Sequence, residues 1–571
     1  GTFKEDLGNC MMHTSQYSMG VDIADINNDG YSEIISMDML PADPYILKRS
    51  LGEDAYDIFF LKIRNGYNYQ YTRNNLQLNN RNGTFSEIGS YCGVSATDWS
   101  WGALFLDADN DGLNDIFICN GINRDLGDLD FLDFFSNEVH KKMIQTGRKM
   151  EIDELLKHIP VNPLPNRVFK NKGGLQFADT GLEWGLDKPG FSNSIAYGDL
   201  DNDGDLDLVI NNANQPAFVY KNNSRQQNGN SYIGVMLKGK GANTYAIGSK
   251  IKLYKDGQVY YRELVPSRGF QSSVDYKQII GLGKLTGVDS MIITWPDRSF
   301  SKYENPELNK VHVLQQPEQA AVAERETVTE TVTVNSGGAG MFEVVAGTVF
   351  EKHTEDDHID FYFERNLPAM LSREGPAVAK GDVNGDGLED VYIGGAHGQG
   401  GQLYLQTANG FVKSEQAVFK SFADFEDVAA LLFDADHDGD LDLYLGAGGN
   451  NAQPYSRTLQ HRLYKNDGKG GFAIDTKAFP GNEMNIAIAV NYDYDGDGDE
   501  DLFVGSRSVP AHYGITPRSY MYNNDGSGRF KDVTESLNPA LAQAGMITGA
   551  AWADINGDQQ KELIVTGEWM T

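Results

Sequence analysis

One short pattern of oxygen-bearing side chains recurs seven times along this 571-residue chain. It begins at Asp25, Asp107, Asp199, Asp382, Asp434, Asp493 and Asp554. Position 3 is Asn27, Asp109, Asp201, Asn384, Asp436, Asp495 or Asn556, and position 5 is Asp29, Asp111, Asp203, Asp386, Asp438, Asp497 or Asp558. Position 6 is glycine except at Gln559. Position 9 is again acidic: Glu33, Asp115, Asp207, Asp390, Asp442, Asp501 and Glu562. Alternate side chains on a tight loop can point at one centre, and Ca²⁺ takes six to eight oxygens at about 2.3–2.6 Å. Glycine at position 6 permits the sharp turn. The backbone carbonyl of position 7 (Tyr31, Leu113, Asp205, Leu388, Asp440, Asp499 and Gln560) supplies a further oxygen, and the acid at position 9 closes the shell. The pattern therefore predicts up to seven structural Ca²⁺ ions. Mg²⁺ fits less well, because it demands a rigid octahedron and keeps its waters.

The loops account for most of the charge. The chain carries 81 acidic and 48 basic residues, a net −33, and 25 of the acids occupy positions 1, 3, 5 and 9. Without them the net charge would be −8. So acidic a chain disfavours a nucleic-acid partner, since a phosphate backbone needs a basic face. Hydrophobic content of 40 % is enough for real cores. No apolar run reaches the length of a membrane span. Cys10, Cys92 and Cys119 are odd in number and widely spaced, which excludes a disulfide framework and a CxxC zinc site.

The elements that must position the loops are strands. An EF-hand needs Glu at position 12 and flanking helices, but position 12 here is Ser, Ile, Leu or Val. Position 9 instead opens short apolar runs such as Asp115-Ile-Phe-Ile-Cys119 and Asp501-Leu-Phe-Val-Gly505, which read as buried strands. A second element recurs at a variable distance after four of the loops, an Asn/Asp-Gly turn as in Asn82-Gly83 and Asp525-Gly526, a hairpin signal. Later loops start at 382, 434, 493 and 554, a period suited to one four-stranded propeller blade. The earlier loops are further apart, with insertions over 39–73 and 125–160. Helices are expected at Asp54–Lys62, at Ser136–Ile144 with Ser136 as N-cap, and at Glu151–His158, with Gly147 and Pro160 as stops.

The intervening stretch differs. Residues 231–316 read as a small all-β module with a hairpin around Asp256-Gly257, and 317–340 as a linker. Residues 1–230 and 341–571 hold the two repeat arrays. The chain both opens and stops within a repeat, and reads as an internal piece of a longer one.

The loops and strands resemble VCBS/FG-GAP repeats, the calcium-loop blades also found in integrin α chains. Ala246-Ile-Gly248, Gly281-Leu-Gly283 and Ile293-Thr-Trp295-Pro296-Asp297 resemble the ASPIC/UnbV module of proteins similar to cartilage acidic protein. The order of parts, with Asp98-Trp-Ser-Trp101, Met37-Asp-Met-Leu-Pro41 and Gly394-Gly-Ala-His-Gly-Gln-Gly400, resembles large surface lipoproteins of Bacteroidota. The resemblance implies an all-β fold of two integrin-α-like propellers, incomplete here, joined by the ASPIC/UnbV module. It also implies an extracellular, outward-facing place at the outer membrane, held only by a lipid anchor outside the visible chain. Gln559 departs from the family glycine, so the seventh loop is expected to be distorted or weak.

Enzyme signatures are largely missing: there is no Gly-x-Ser-x-Gly elbow, HExxH or P-loop. His353 and His358 lie near Asp356 and Asp357, but with no third ligand in view they read as surface residues. Trp99, Trp101 and Trp184 read as packing residues. Two functions remain: a non-enzymatic scaffold binding a glycan or an extracellular or outer-membrane protein, and a calcium-dependent polysaccharide lyase.

Overall fold

The apolar runs after the acidic loops are strands enclosed on both faces. Every residue of Asp115–Asn120, Asp442–Ala447 and Asp501–Ser508 is buried. Each pairs antiparallel with the strand before its loop and, on the other edge, with the strand after it. A computed structural model describes residues 4–50, 54–147, 155–318, 349–365 and 367–570. Nearly all of the expected linker, 317–340, lies outside the described residues, as do 1–3 at the start of the first array and 151–154 of the expected third helix.

The chain divides into two compact units, Gly1–Val332 and Thr333–Thr571. The first holds three consecutive blades. Val21–Ala24, Glu33–Ser36, Asn75–Asn79 and Phe85–Glu87 form one. Ser100–Leu106, Asp115–Asn120, Arg167–Asn171 and Phe177–Asp179 form the next. The third has three strands, Ser192–Gly198, Asp207–Asn212 and Phe218–Tyr220. The second unit has three four-stranded blades, whose first strands are Val378–Gly381, Asp427–Phe433 and Asn485–Tyr492, and a two-stranded sheet of Met546–Ala553 and Glu562–Glu568. The protein is thus all-β, built from open sets of propeller blades with short helices between strands.

Neighbouring blades stack face to face through apolar side chains. Ile35, Leu76, Phe105 and Ile118 fill one such layer, and Phe433, Tyr444, Leu463, Ile486 and Tyr522 another. The second strand of a blade often carries a glycine where the next blade closes in. A Cβ on Gly505 would lie 2.7 Å from Ile547 Cγ2. Five of the first strands are bulged near their start, as at Ser100/Ala103 and Asp427/Ala429, and a bulge increases local twist.

The stretch after the first array is a sandwich. Gln278–Gly281, Tyr232–Lys238 and Lys310–Gln315 make one sheet, and Gln258–Glu263, Lys250–Lys255, Ser290–Thr294 and Phe300–Glu304 the other. Ile233, Leu253, Ile280, Ile293 and Trp295 fill the space between them. The expected turn at Asp256-Gly257 is present with both residues at positive φ, 48° and 82°.

The insertions contain helices at Pro44–Arg49, Tyr56–Arg64 and Leu129–Phe134, the last running on through Phe135–His140 to Thr146. Ser136 therefore lies inside a helix rather than at its start. Asp128 is the cap, accepting the Phe131 N–H at 2.9 Å, because a carboxylate satisfies the free amides of the first turn there. The described part of 151–158 ends in a single turn, Leu156–His158.

One asparagine at or just past the end of the third strand ties each of four blades to its predecessor. Asn171 Nδ2 donates to Ile26 O, in the preceding loop, and to Asn114 O, in its own. Asn222 does the same to Ala108 O and Leu206 O, Asn466 to Val383 O and Leu441 O, and Asn524 to Ala435 O and Glu500 O. Asn171 is 2 % exposed, so truncating it would orphan two buried carbonyls, each worth about 1–3 kcal/mol. Asn171→Ala is expected to cost about 2–4 kcal/mol in urea unfolding; a loss below about 0.5 kcal/mol would show that these bonds do not hold the blades.

Candidate metal centres

Each acidic loop is shaped by its own fifth side chain, and six of the seven by the first as well. The position 1 carboxylate accepts the N–H of position 6, at 2.8 Å from Gly30 to Asp25 and 3.0 Å from Gly112 to Asp107. The same bond recurs from Gly387, Gly439, Gly498 and Gln559. The position 5 carboxylate accepts the N–H of position 7 in all seven loops. Position 4 is left-handed throughout, at Asn28, Asn110, Asn202, Gly385, His437, Gly496 and Gly557. Gln559 takes φ 73° and makes the same bond as the glycines. The seventh loop is therefore not distorted; it carries only the strain of a side chain in the left-handed region, of order 1 kcal/mol.

These turns gather carboxylate oxygens. One oxygen from each of Asp107, Asp109 and Asp111 lies within 4.8 Å of the other two. So do those of Asp199, Asp201 and Asp203, of Asp434, Asp436 and Asp442, and of Asp493, Asp495 and Asp497. Oxygens arranged around one Ca²⁺ span distances of this size. In the loops beginning at Asp25, Asp382 and Asp554, position 3 is asparagine, whose Oδ1 accepts the N–H of position 5.

Several carboxylate oxygens of the loops are buried and unbonded: Asp107 Oδ1, Asp109 Oδ1, Asp199 Oδ1, Asp205 Oδ1, Asp434 Oδ1, Asp436 Oδ1 and Asp440 Oδ1 have no hydrogen-bond partner. Burial, with repulsion between loop carboxylates adding to it, pushes Glu33, Asp107 and Asp442 up to about 7 and Asp440 and Asp501 to about 6. Unpaired buried oxygens and raised carboxyls mark a site short of positive charge, and the donor set, all oxygen, fits Ca²⁺. Asp382 and Asp554 are different. Asp554 is exposed and Asp382 partly so, and backbone amides hold both below the usual range.

The acid at position 9 has a second task. One of its oxygens accepts the N–H of position 2, as from Ala108 to Asp115 at 3.1 Å and from Ala435 to Asp442 at 3.2 Å. The other accepts from the third strand, as from Asn171 to Asp115 and from Asn466 to Asp442, both at 2.8 Å. It clamps loop to strand before any ion is considered.

Several basic side chains not evident from the motif reach the loops. Lys170 pairs with Asp109 and Asp111, Lys221 with Asp201, and Lys465 with Asp436. The sandwich module contributes Lys277, whose buried ammonium meets Asp199 Oδ2 at 3.0 Å and Asn202 Oδ1 at 3.0 Å. The module also places buried Arg262 beside Asp107 and donates Gly283 N–H to Asn110 O at 2.8 Å. Gly281 sits so close that a Cβ would fall 2.1 Å from Asp107 Oδ2. The second and third loops are thus also the module's docking ground. A recurring lysine or asparagine before the third-strand asparagine was the available signal for the first group; the module residues had none.

Family models match the chain in four places. The FG-GAP-like repeat matches residues 56–118, 382–445 and 493–565, which take in five of the seven loops. ASPIC and UnbV matches 239–321. The chain is an FG-GAP repeat protein carrying an ASPIC/UnbV module. Among solved structures it is similar to the V. cholerae biofilm matrix protein Bap1 at 17 % identity and a TM-score of 0.19. That match covers 34 % of this chain, which spans 28 % of that one. No curated protein matches the chain.

The raised carboxyls set the pH dependence of the metal-free protein. Their folded pKa lies above the unfolded value near 4, so the folded state holds extra protons between about pH 4 and 7 and loses stability as pH rises through that window. In metal-free buffer the melting temperature is expected to fall from pH 5 to pH 8. Millimolar Ca²⁺ should abolish or reverse that trend, because the ion needs the ionised form. The same slope with and without Ca²⁺ would refute the loop assignment. Gln559→Gly is expected to stabilise the second unit by about 0.5–1 kcal/mol in Ca²⁺, by relieving the left-handed strain.

Proposed function

We propose that the protein is a calcium-stapled, non-enzymatic scaffold that works outside the cell, displayed at a surface, and binds a glycan or a protein partner. The observation that carries this is the set of unbonded carboxylate oxygens converging at the loops. They sit where strand meets strand and where blade meets blade, so an ion there strengthens the frame. Extracellular calcium modules bind at roughly 10⁻⁴–10⁻³ M. At ~1 mM Ca²⁺ and a ~0.1 mM dissociation constant, each filled site adds about 1.4 kcal/mol. Several such sites matter against the marginal stability of a domain.

FG-GAP-like repeats and the ASPIC/UnbV module support an adhesion-type scaffold. Among the described residues no helix is long and apolar enough to cross a membrane. The surface for a partner is the first insertion, where Tyr45, Ile58, Phe60, Leu61, Tyr67 and Tyr69 are exposed. Loops on a rigid frame are where binding usually resides, and tyrosine offers an apolar face with a polar tip.

A glycan array read with and without Ca²⁺, beside a lyase absorbance assay on acidic polysaccharides, separates the two readings. The expected result is Ca²⁺-dependent retention of ligand without turnover, weakened by Tyr45→Ala with Tyr67→Ala. Repeated cleavage of any polysaccharide would establish the lyase instead.

A further inference from the structure

The third loop departs from the other six in one bond. Elsewhere the position 1 carboxylate is held by the position 6 amide of its own loop. At the third loop the donor comes from outside: Lys277 Nζ meets Asp199 Oδ2 at 3.0 Å. The same ammonium gives its remaining bonds to Asp199 O at 2.9 Å and Asn202 Oδ1 at 3.0 Å. Lys277 belongs to the ASPIC/UnbV sandwich, one residue before the strand Gln278–Gly281. The pair is enclosed, with 6 % of the lysine side chain and 0 % of the aspartate exposed.

The ammonium leaves part of Asp199 unspent. Asp199 Oδ1 is buried and makes no hydrogen bond, and one oxygen of Asp199 lies within 4.8 Å of oxygens from Asp201 and Asp203. The other cations near this loop do not compete for Asp199. Lys221 pairs with Asp201 and is 57 % exposed, and the Arg225 guanidinium donates to the carbonyl of Asp203. At the second loop the module's Arg262 stands 4.0 Å from Asp107 Oδ2, which Gly112 N–H already holds.

We propose that Lys277 is a resident counter-ion of the third loop, so that the docked module and Ca²⁺ are alternative sources of positive charge for one carboxylate. The proposal rests on the reading of the loops as calcium sites. A buried carboxylate stripped of its partner is costly. Lys277 removes that cost whenever the loop is empty. A Ca²⁺ entering beside Oδ1 then meets a fixed positive charge on the far side of the same carboxylate, and in so enclosed a place the two repel. The lysine therefore weakens calcium at this loop while keeping the loop and the module together without it. Linkage makes the effect reciprocal: calcium at the third loop loosens the hold of Lys277.

The test uses the full chain, with thermal midpoints read in EGTA and in millimolar Ca²⁺ and calcium uptake followed by calorimetry. Lys277→Met has matching length and no charge. It is expected to lower the midpoint by several degrees in EGTA and by much less in Ca²⁺, and to tighten one calcium site per chain roughly tenfold. A purely structural lysine would cost the same in both media, and that result overturns the proposal. So does a larger loss in Ca²⁺, which would mean that the lysine prepares the loop for the ion. If Lys277→Met folds in neither medium, Lys277→Gln, which keeps two donors without the charge, is judged by the same comparison. A wild-type midpoint and calorimetric trace that both ignore Ca²⁺ refute the calcium reading of the loops and this proposal with it. A wild type that responds, beside a variant penalised equally in both media, refutes only the role of Lys277.

Discussion

Like charge held at close quarters is the constraint on which this structure depends. A four-stranded blade needs a tight turn between its first and second strands, and in this chain that turn is made of carboxylates. Their inner oxygens shape the backbone by accepting loop amides, and their outer oxygens are left facing one another. The turn is well formed and electrostatically incomplete at once, which makes a cation the natural last component of the frame. The two more open loops beginning at Asp382 and Asp554 mark the limit of this rule, because their first carboxylates are satisfied by backbone amides.

The incompleteness spreads beyond the loops. The ASPIC/UnbV sandwich settles on the second and third of them, contributing one buried lysine and one buried arginine where acid is densest. A charged pair in such a place is stabilising only when its geometry and remaining hydrogen bonds are good. Lys277 meets this condition, with three acceptors around its ammonium. Module and blades therefore share one electrostatic problem.

Much of this was legible in the sequence, for a physical reason. The loop pattern has a fixed spacing because backbone turns have fixed geometry, and the strand after it is apolar because it is enclosed on both faces. Repeated seven times, the two signals define the blades. What escaped was whatever depends on neighbours distant in the chain. Asn171 and Asn524 look like turn residues in a hairpin, yet their amides reach a different blade. Asp115 and Asp442 look like metal ligands alone, yet they also clamp strand to loop. Ser136 looks like a cap, but Asp128 lies upstream and captures the helix start first. Gln559 looks like a defect, and the turn absorbs it.

The asparagine that joins blades also has a direction. Its acceptor always belongs to the blade made earlier: Ile26 for Asn171, Ala108 for Asn222, Val383 for Asn466 and Ala435 for Asn524. A chain is synthesised and exported from its amino end, so each new blade meets a finished template whose carbonyls are already in place. Assembly can then proceed like masonry laid course upon course, with no need for a later segment to return and repair an earlier one. A protein built this way can gain or lose a course in evolution without redesigning the rest.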